Sequence, residues 1–425
     1  TAFDATSANG ATVSVGADGS FNYTPVFGFT GADTFNYTVS NAAGSSSNVV
    51  TLNLDQRAFF VDNTAPGGGN GSFTSRFNSL AAGLAAAGVN DTIFVFRGNG
   101  TNTNLAGAFA LQAGQRLIGE GTGLIPQEGV VVVPAGNAPV LQGPGTLASG
   151  NTVQGLILDG SPADALQLSA AVATTINDNL FRNVNSTAID LDNVSGQIAI
   201  NRNIFNDVVS NIVDINNTDL NSTIEFNNNQ GVAELVSTSD VLDIDVNGTS
   251  QTTVNASANT FSTLSGRTYS DGILINGSGT TVTNATLTNN SFANVNNESF
   301  EIDTETSAQV TASLTGNTAD GAGTGTTALE VDTAGASSLA LTLASNNFFG
   351  HGGAGTEIDT TGDSNVTVVA TNNTFSGNGN RGVALLGTAN SFVRAAFRNN
   401  TLTGNTGDDL RFETQERPEW TWISP

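Results

Sequence analysis

From about residue 170 onward one short phrase recurs, and no other feature restricts the fold so strongly. An Asn followed two positions later by an apolar residue appears as Asn179-Leu180-Phe181, Asn203-Ile204-Phe205, Asn259-Thr260-Phe261, Asn290-Ser291-Phe292, Asn346-Asn347-Phe348, Asn373-Thr374-Phe375 and Asn400-Thr401-Leu402. Degenerate copies stand at Asn229 and Asn317, and successive anchors lie 24 to 31 residues apart. A fixed period of this size signals a repeat architecture. Between anchors, apolar and polar residues alternate over short β-branched runs, so each unit reads strand–turn–strand and helical repeats do not fit. The pattern predicts a coil of two or three short strands, each coil stacked on the next at about 4.8 Å. Stacking puts Phe on Phe and Asn on Asn, with amides hydrogen-bonded along the column. The abundance of Asn then needs no binding site to explain it.

Composition removes whole classes of chemistry. The 425 residues contain no Cys and no Met, and all 12 basic residues are Arg. Disulfides, thiol catalysis and thiolate metal sites are therefore excluded, as are lysine Schiff bases and a P-loop. A single histidine, His351, leaves nothing from which to build a multi-histidine metal centre or a Ser-His-Asp relay. The net charge of −25 argues against nucleic acid and anionic membrane as partners, since both need basic patches. No apolar run approaches the roughly 18 residues that span a bilayer, so no membrane insertion of this segment is expected. No basic-then-apolar leader stands at Thr1. The chain reads as a mature, exported segment, secreted or on a cell surface.

Residues 1–55 have a texture of their own. Val13, Val15, Phe21 and Tyr23 alternate, as do Phe35, Tyr37 and Val39, and Gly-rich turns separate them from Val49–Leu54. Three or four antiparallel strands are predicted. The run GSFNYTPVFGFTGADTFNYTVSNAAGSSSNVVTLNL resembles the closing half of the cadherin-like, immunoglobulin-type repeats of large bacterial surface proteins. A full sandwich takes about seven strands and roughly 100 residues. The segment is thus expected to be a partial sandwich with unpaired edges and half a core exposed.

Further along, FFVDNTAPGGGNGSF, GQRLIGEG and NTVQGLILDG precede the Asn-x-Phe coils. Together these resemble the pectin-lyase-like right-handed parallel β-helix, a superfamily of pectin and pectate lyases, polygalacturonases, phage tailspikes and noncatalytic adhesin passengers. The expected fold class is all-β: a partial β-sandwich over 1–55, a β-helix of about a dozen coils over 56–414, and a tail over 415–425. Ser75 is expected to cap a short helix over roughly 76–88, with Phe77, Leu80, Ala81 and Leu84 on one stripe. Such a helix covers the open end of a solenoid.

The most orderly polar feature lies in one strand of each coil. Asp190 and Asp192, Asp214 and Asn216, Asp243 and Asp245, Glu301 and Asp303, Glu330 and Asp332, and Glu357 and Asp359 share one register, each pair straddling a hydrophobe. Alternation buries the hydrophobes and turns the acids outward, so stacked coils make two parallel acidic columns, broken at Leu274, Ala384, Leu386 and Arg411. Like charges near 5 Å repel by about 1 kcal/mol in water and by several times that at a low-dielectric surface. Screening, raised pKa values or bridging calcium relieve the repulsion, and carboxylates with Asn carbonyls are oxygen ligands of the kind calcium takes. The acids of this set, from Asp190 to Asp359, are the candidate metal ligands.

No catalytic residue is assigned. Asn217-Thr218-Asp219 and Gly350-His351-Gly352 are similar to polygalacturonase motifs, but they lie about five coils apart and Asp408-Asp409 comes too late. Tyr269 and the Trp420/Trp422 pair are the remaining candidates for stacking on sugar. The expected function is a noncatalytic structural or adhesive segment, such as a stalk, adhesin or fibre, with surface glycans or other surface proteins as partners. Two alternatives remain open. One is a polysaccharide-degrading enzyme of this fold, and the other is a filament subunit whose Trp420–Trp422 tail pairs head-to-tail with a neighbouring copy.

Overall fold

In the computed structural model the described residues are 2–125, 133–233, 240–263, 269–323, 325–415 and 419–422. Three parallel sheets run the length of the main body, with 14, 12 and 11 strands. The 14-stranded sheet starts at Ala58–Val61 and ends at Phe392–Arg398 and Glu419–Trp422. The 12-stranded sheet runs from Phe109–Ala110 to Leu410–Gln415, and the 11-stranded sheet from Val140–Leu141 to Thr401–Thr403. From Phe109–Ala110 onward every third strand in the sequence is a neighbour in space, so from Val140–Leu141 onward each coil contributes one strand to each sheet. Thirteen steps of about 4.8 Å make the longest sheet roughly 60 Å tall. The repeat of strand, turn and strand therefore closes as a three-sided solenoid.

The closing turn has a cause in the backbone. The residue before each anchor Asn adopts the left-handed conformation, from Asp178 (φ 59°) and Arg202 (56°) through Ala258 (55°) and Ser345 (56°) to Asn399 (52°). For a residue with a Cβ this costs about 1–2 kcal/mol. The anchor offsets it. Asn203 donates its side-chain N–H to Ile176 O at 2.8 Å and to Asn229 Oδ1 at 3.2 Å, and its backbone N–H to the same Oδ1 at 2.9 Å. The ladder continues without a gap through Asn259, Asn290, Asn317, Asn346, Asn373 and Asn400. The degenerate copies Asn229 and Asn317 are full members, both essentially excluded from solvent.

Inside the cylinder the phenylalanines form a file with two gaps. Phe181 stacks on Phe205 at 5.0 Å and Phe261 on Phe292 at 6.0 Å. Gly231 stands between Phe205 and Phe261 in the register, and Ala319 between Phe292 and Phe348. Rings from the other faces fill in: Phe226 stacks on Phe261 at 6.1 Å, and Phe300 packs against Phe292 and Phe348. Tyr269 is 3% exposed and packs edge-on against Phe261, so it is core rather than a sugar platform.

At the N-terminal end of the solenoid, the helix is shorter than the stripe predicted. It spans Leu80–Ala86 and is capped by Ser79, whose side chain accepts from the Ala82 N–H. The reason is that Phe77 is already committed to sheet geometry: its N–H donates to Phe60 O, and its carbonyl accepts from the Asp62 N–H. Leu80 and Gly83 face the core of the first coil.

The N-terminal segment holds an antiparallel three-stranded sheet and a two-stranded one, with Gly31–Asn41 and Gly44–Leu54 as the long hairpin. Buried Asp33 ties it together, accepting from Ser7 Oγ at 2.5 Å, Tyr23 Oη at 2.7 Å and the Asn9 N–H at 2.9 Å. Its apolar core is thin. Ala11, Val13 and Phe35 are buried, while Phe21, Val39 and Val49 remain exposed. Phe27 meets Phe59 of the first coil edge-on at 6.0 Å. At the other end, Glu419–Trp422 pairs in parallel with Phe392–Arg398 of its own chain.

Candidate functional site

The 12-stranded sheet carries the acids in files, as alternation requires. Gln167, Asp190, Asp214, Asp243, Leu274, Glu301, Glu330, Glu357, Ala384 and Arg411 are successive partners in one file. The second file runs Asp192, Asn216, Asp245, Asn276, Asp303, Asp332, Asp359 and Leu386. Between them, Leu191, Ile215, Ile244, Ile302, Val331 and Ile358 are fully buried. The acids stand outward, but neighbours above and below leave all except Asp332 only half exposed.

Few cations meet them. Arg381 lies 4.0 Å from Glu357, and Arg411 pairs with Glu413 and Asp408 at the C-terminal end. In mid-column the partners are amides: Asn216 donates to Asp214 at 2.9 Å, and Asn276 to Asp245 at 2.9 Å. Asp243 Oδ1, Asp303 Oδ1 and Asp359 Oδ1 are buried acceptors with no donor. Burial first, and then the neighbouring negative charges, push the carboxyls up: Asp190 and Asp359 to about 6, Asp243 and Asp303 to about 7, and Glu301 to about 8. Asp214, Glu330 and Asp332 are raised for the same leading reason, their burial.

A third file escapes sequence reasoning. Asp240, Asp271 and Glu298 occupy the turn three residues before the first file, each linked to the next by a hydrogen bond from the following backbone N–H. Asp271 and Glu298 are nearly buried. Burial dominates in raising Asp240 and Glu298, and close contact with Asp271 adds to it. Thr326 Oγ1 donates to Glu298 Oε1. Where Leu274 interrupts the first file, Asp271 supplies the missing acid from the turn. One oxygen each of Asp271, Glu298 and Glu301 lies within 4.8 Å of the others. That is the span of ligands lying about 2.4 Å from one shared ion. The signal was available in the sequence as the constant offset between Asp240 and Asp243, or Glu298 and Glu301. Turn residues, however, show no alternation to mark them.

The motifs similar to polygalacturonases do not assemble. Asn217 is buried near the end of the Val213–Thr218 strand, donating to Ser222 Oγ and accepting from the Val194 N–H. His351 is 1% exposed and lies five coils further along, in the connection between the Asn347–Phe349 and Thr356–Thr360 strands.

Residues 1–53 match the family model of the bacterial Ig domain, and residues 243–414 that of the right-handed β-helix region. No curated protein matches the chain. Among solved structures it is similar to the GH136 lacto-N-biosidase from Eubacterium ramulus, at 10% identity and a TM-score of 0.29, covering 86% of this chain and 68% of that one. It is also similar to tailspike protein 3 of bacteriophage CBA120, at 14% identity and a TM-score of 0.25, covering 90% of this chain and 63% of that one. No helix among the described residues is long and apolar enough to cross a membrane. Both matched modules fit an extracellular or surface protein, and the chain is a right-handed parallel β-helix led by a segment of the bacterial Ig type.

Proposed function

We propose that this chain is a noncatalytic structural or adhesive rod of the cell exterior whose acidic face takes up calcium. The observation that carries the reading is the convergence of Asp271, Glu298 and Glu301 in mid-column, within 4.8 Å and without a cationic side chain among the described residues beside them. Without protons or a cation, such a cluster opposes its own fold. With calcium, Asp271, Glu298 and Glu301 hold the ion, and Asp243, Asp303 and Glu330 extend the negative field around it. The ion supplies charge neutralisation and a rigid link between neighbouring coils. Melting in calcium and in chelator at pH 8 tests the reading: a higher melting temperature with calcium supports it, and an unchanged one contradicts it.

A second reading rests on Glu301, whose carboxyl keeps its proton to about pH 8 beside other acids. Pairs of unlike carboxyls perform glycoside hydrolysis. Screens against neutral and acidic polysaccharides separate the two readings, because a calcium-bridged rod releases no sugar from any of them.

A further inference from the structure

A concavity outside the acidic face lies at the N-terminal cap. It measures about 550 Å3 and is bounded by Asp62, the Gly67–Gly69 loop, Phe73, Thr74 and Arg76, within the size range of small-ligand sites. Its floor is rigid. The Arg76 guanidinium lies 3.6 Å over the Phe96 ring and 5.1 Å from the Phe73 ring, donates to Asp62 Oδ2 at 2.9 Å, and donates through Nε to Phe73 O at 3.2 Å. Asp62 is held in turn by Thr64, through N–H at 2.9 Å and Oγ1 at 2.6 Å. Gly69 lets the loop close over this floor, since a Cβ there would lie 1.9 Å from Arg76 O.

What the pocket offers to a ligand is equally specific. Phe73 packs edge-on against Phe60 at 5.3 Å and carries Arg76 over its ring, yet remains 46% exposed, so part of the ring is open to solvent. The Gly67, Gly68 and Gly69 amides and the Thr74 hydroxyl have no partner among the described residues. A planar carboxylate–guanidinium pair beside an open aromatic ring and a set of free N–H and O–H groups suits a pyranose. The hydroxyls meet the polar edge and the apolar C–H face meets the ring. Charge narrows the class. Arg76 is already neutralised by Asp62, and the chain carries −25 overall, so an anionic sugar gains nothing here.

We propose that this cap pocket binds one neutral pyranose residue of a surface glycan, with Phe73 as the stacking platform. The proposal shares the adhesive reading's choice of partner but not its cation or its acidic face. Saturation-transfer NMR of the full chain with the methyl glycosides of galactose, glucose and N-acetylglucosamine, and with galacturonate, tests it. The expected result is millimolar binding of at least one neutral glycoside, at least tenfold weaker in Phe73→Ala, regained in Phe73→Trp, and unaffected by chelator or by Glu301→Gln. No transfer from any neutral glycoside, transfer that survives Phe73→Ala, or preference for galacturonate overturns it. Transfer lost on removing calcium also overturns it, since it would place the sugar on the acidic face. Calcium-dependent melting with no sugar bound leaves the rod reading standing and this one refuted.

Discussion

Asn259 points both of its N–H groups at one oxygen of Asn290: the side-chain amide reaches Asn290 Oδ1 at 2.8 Å and the backbone N–H reaches it at 3.1 Å. Asn290 repeats the arrangement toward Asn317, and its amide also holds Ala256 O at 2.9 Å. Each rung both fills the acceptor of the next coil and ties down its own left-handed turn.

Asn290→Ala removes four side-chain hydrogen bonds and strands the Asn259 N–H in the interior. With about 1 kcal/mol per bond and a further 1–3 for a buried orphan, the expected loss is about 5–7 kcal/mol. Asn400→Ala, at the partly buried end of the ladder, costs about 1–2 kcal/mol. Chemical denaturation of the two variants checks the ranking.

Acid stabilises this protein in the absence of calcium. Asp243, Asp303 and Glu301 hold their protons to about 7, 7 and 8 when folded, against roughly 4 when unfolded. The folded state therefore binds more protons across the window from about pH 4 to 8, and stability falls as pH rises through it. In chelator the melting temperature is expected to be higher at pH 5 than at pH 8. Calcium raises it at pH 8 and scarcely changes it at pH 5.

Glu301→Gln takes one charge out of the crowded centre. In chelator at pH 8 it is expected to melt a few degrees above the parent chain. With calcium the order reverses, because one of three ligands is lost. Scanning calorimetry of both proteins in both buffers measures the crossing.

Gly231→Ala places a Cβ 2.6 Å from the Phe261 ring, and the overpacking is expected to cost about 1–3 kcal/mol. Phe261→Leu in the same chain gives up part of that ring, so the two changes together are expected to cost less than their sum. A double-mutant cycle by denaturation tests the contact.

The solenoid was legible because its period, its alternation and its Asn anchors are all one-dimensional signals. The two acidic columns were legible for the same reason, since Asp190-Leu191-Asp192 already states which side chains face outward. Asp240, Asp271 and Glu298 were not, because a turn has no face to read until neighbouring coils are stacked. The helix start was misplaced by four residues, at Ser75 instead of Ser79, because the stripe includes Phe77 while its backbone serves the sheet. Tyr269 read as a surface ring because its place against Phe261 comes from a long-range contact.

Calorimetric titration of calcium into the intact chain at pH 8, in two buffers of different ionisation enthalpy, bears most directly on the acidic face. The account expects binding with protons released to the buffer, as the carboxyls that Glu301 and its neighbours keep protonated give way to the ion. It also expects that Asp271→Asn and Glu301→Gln each weaken binding. No heat of binding, or binding without proton release and indifferent to both substitutions, would contradict it.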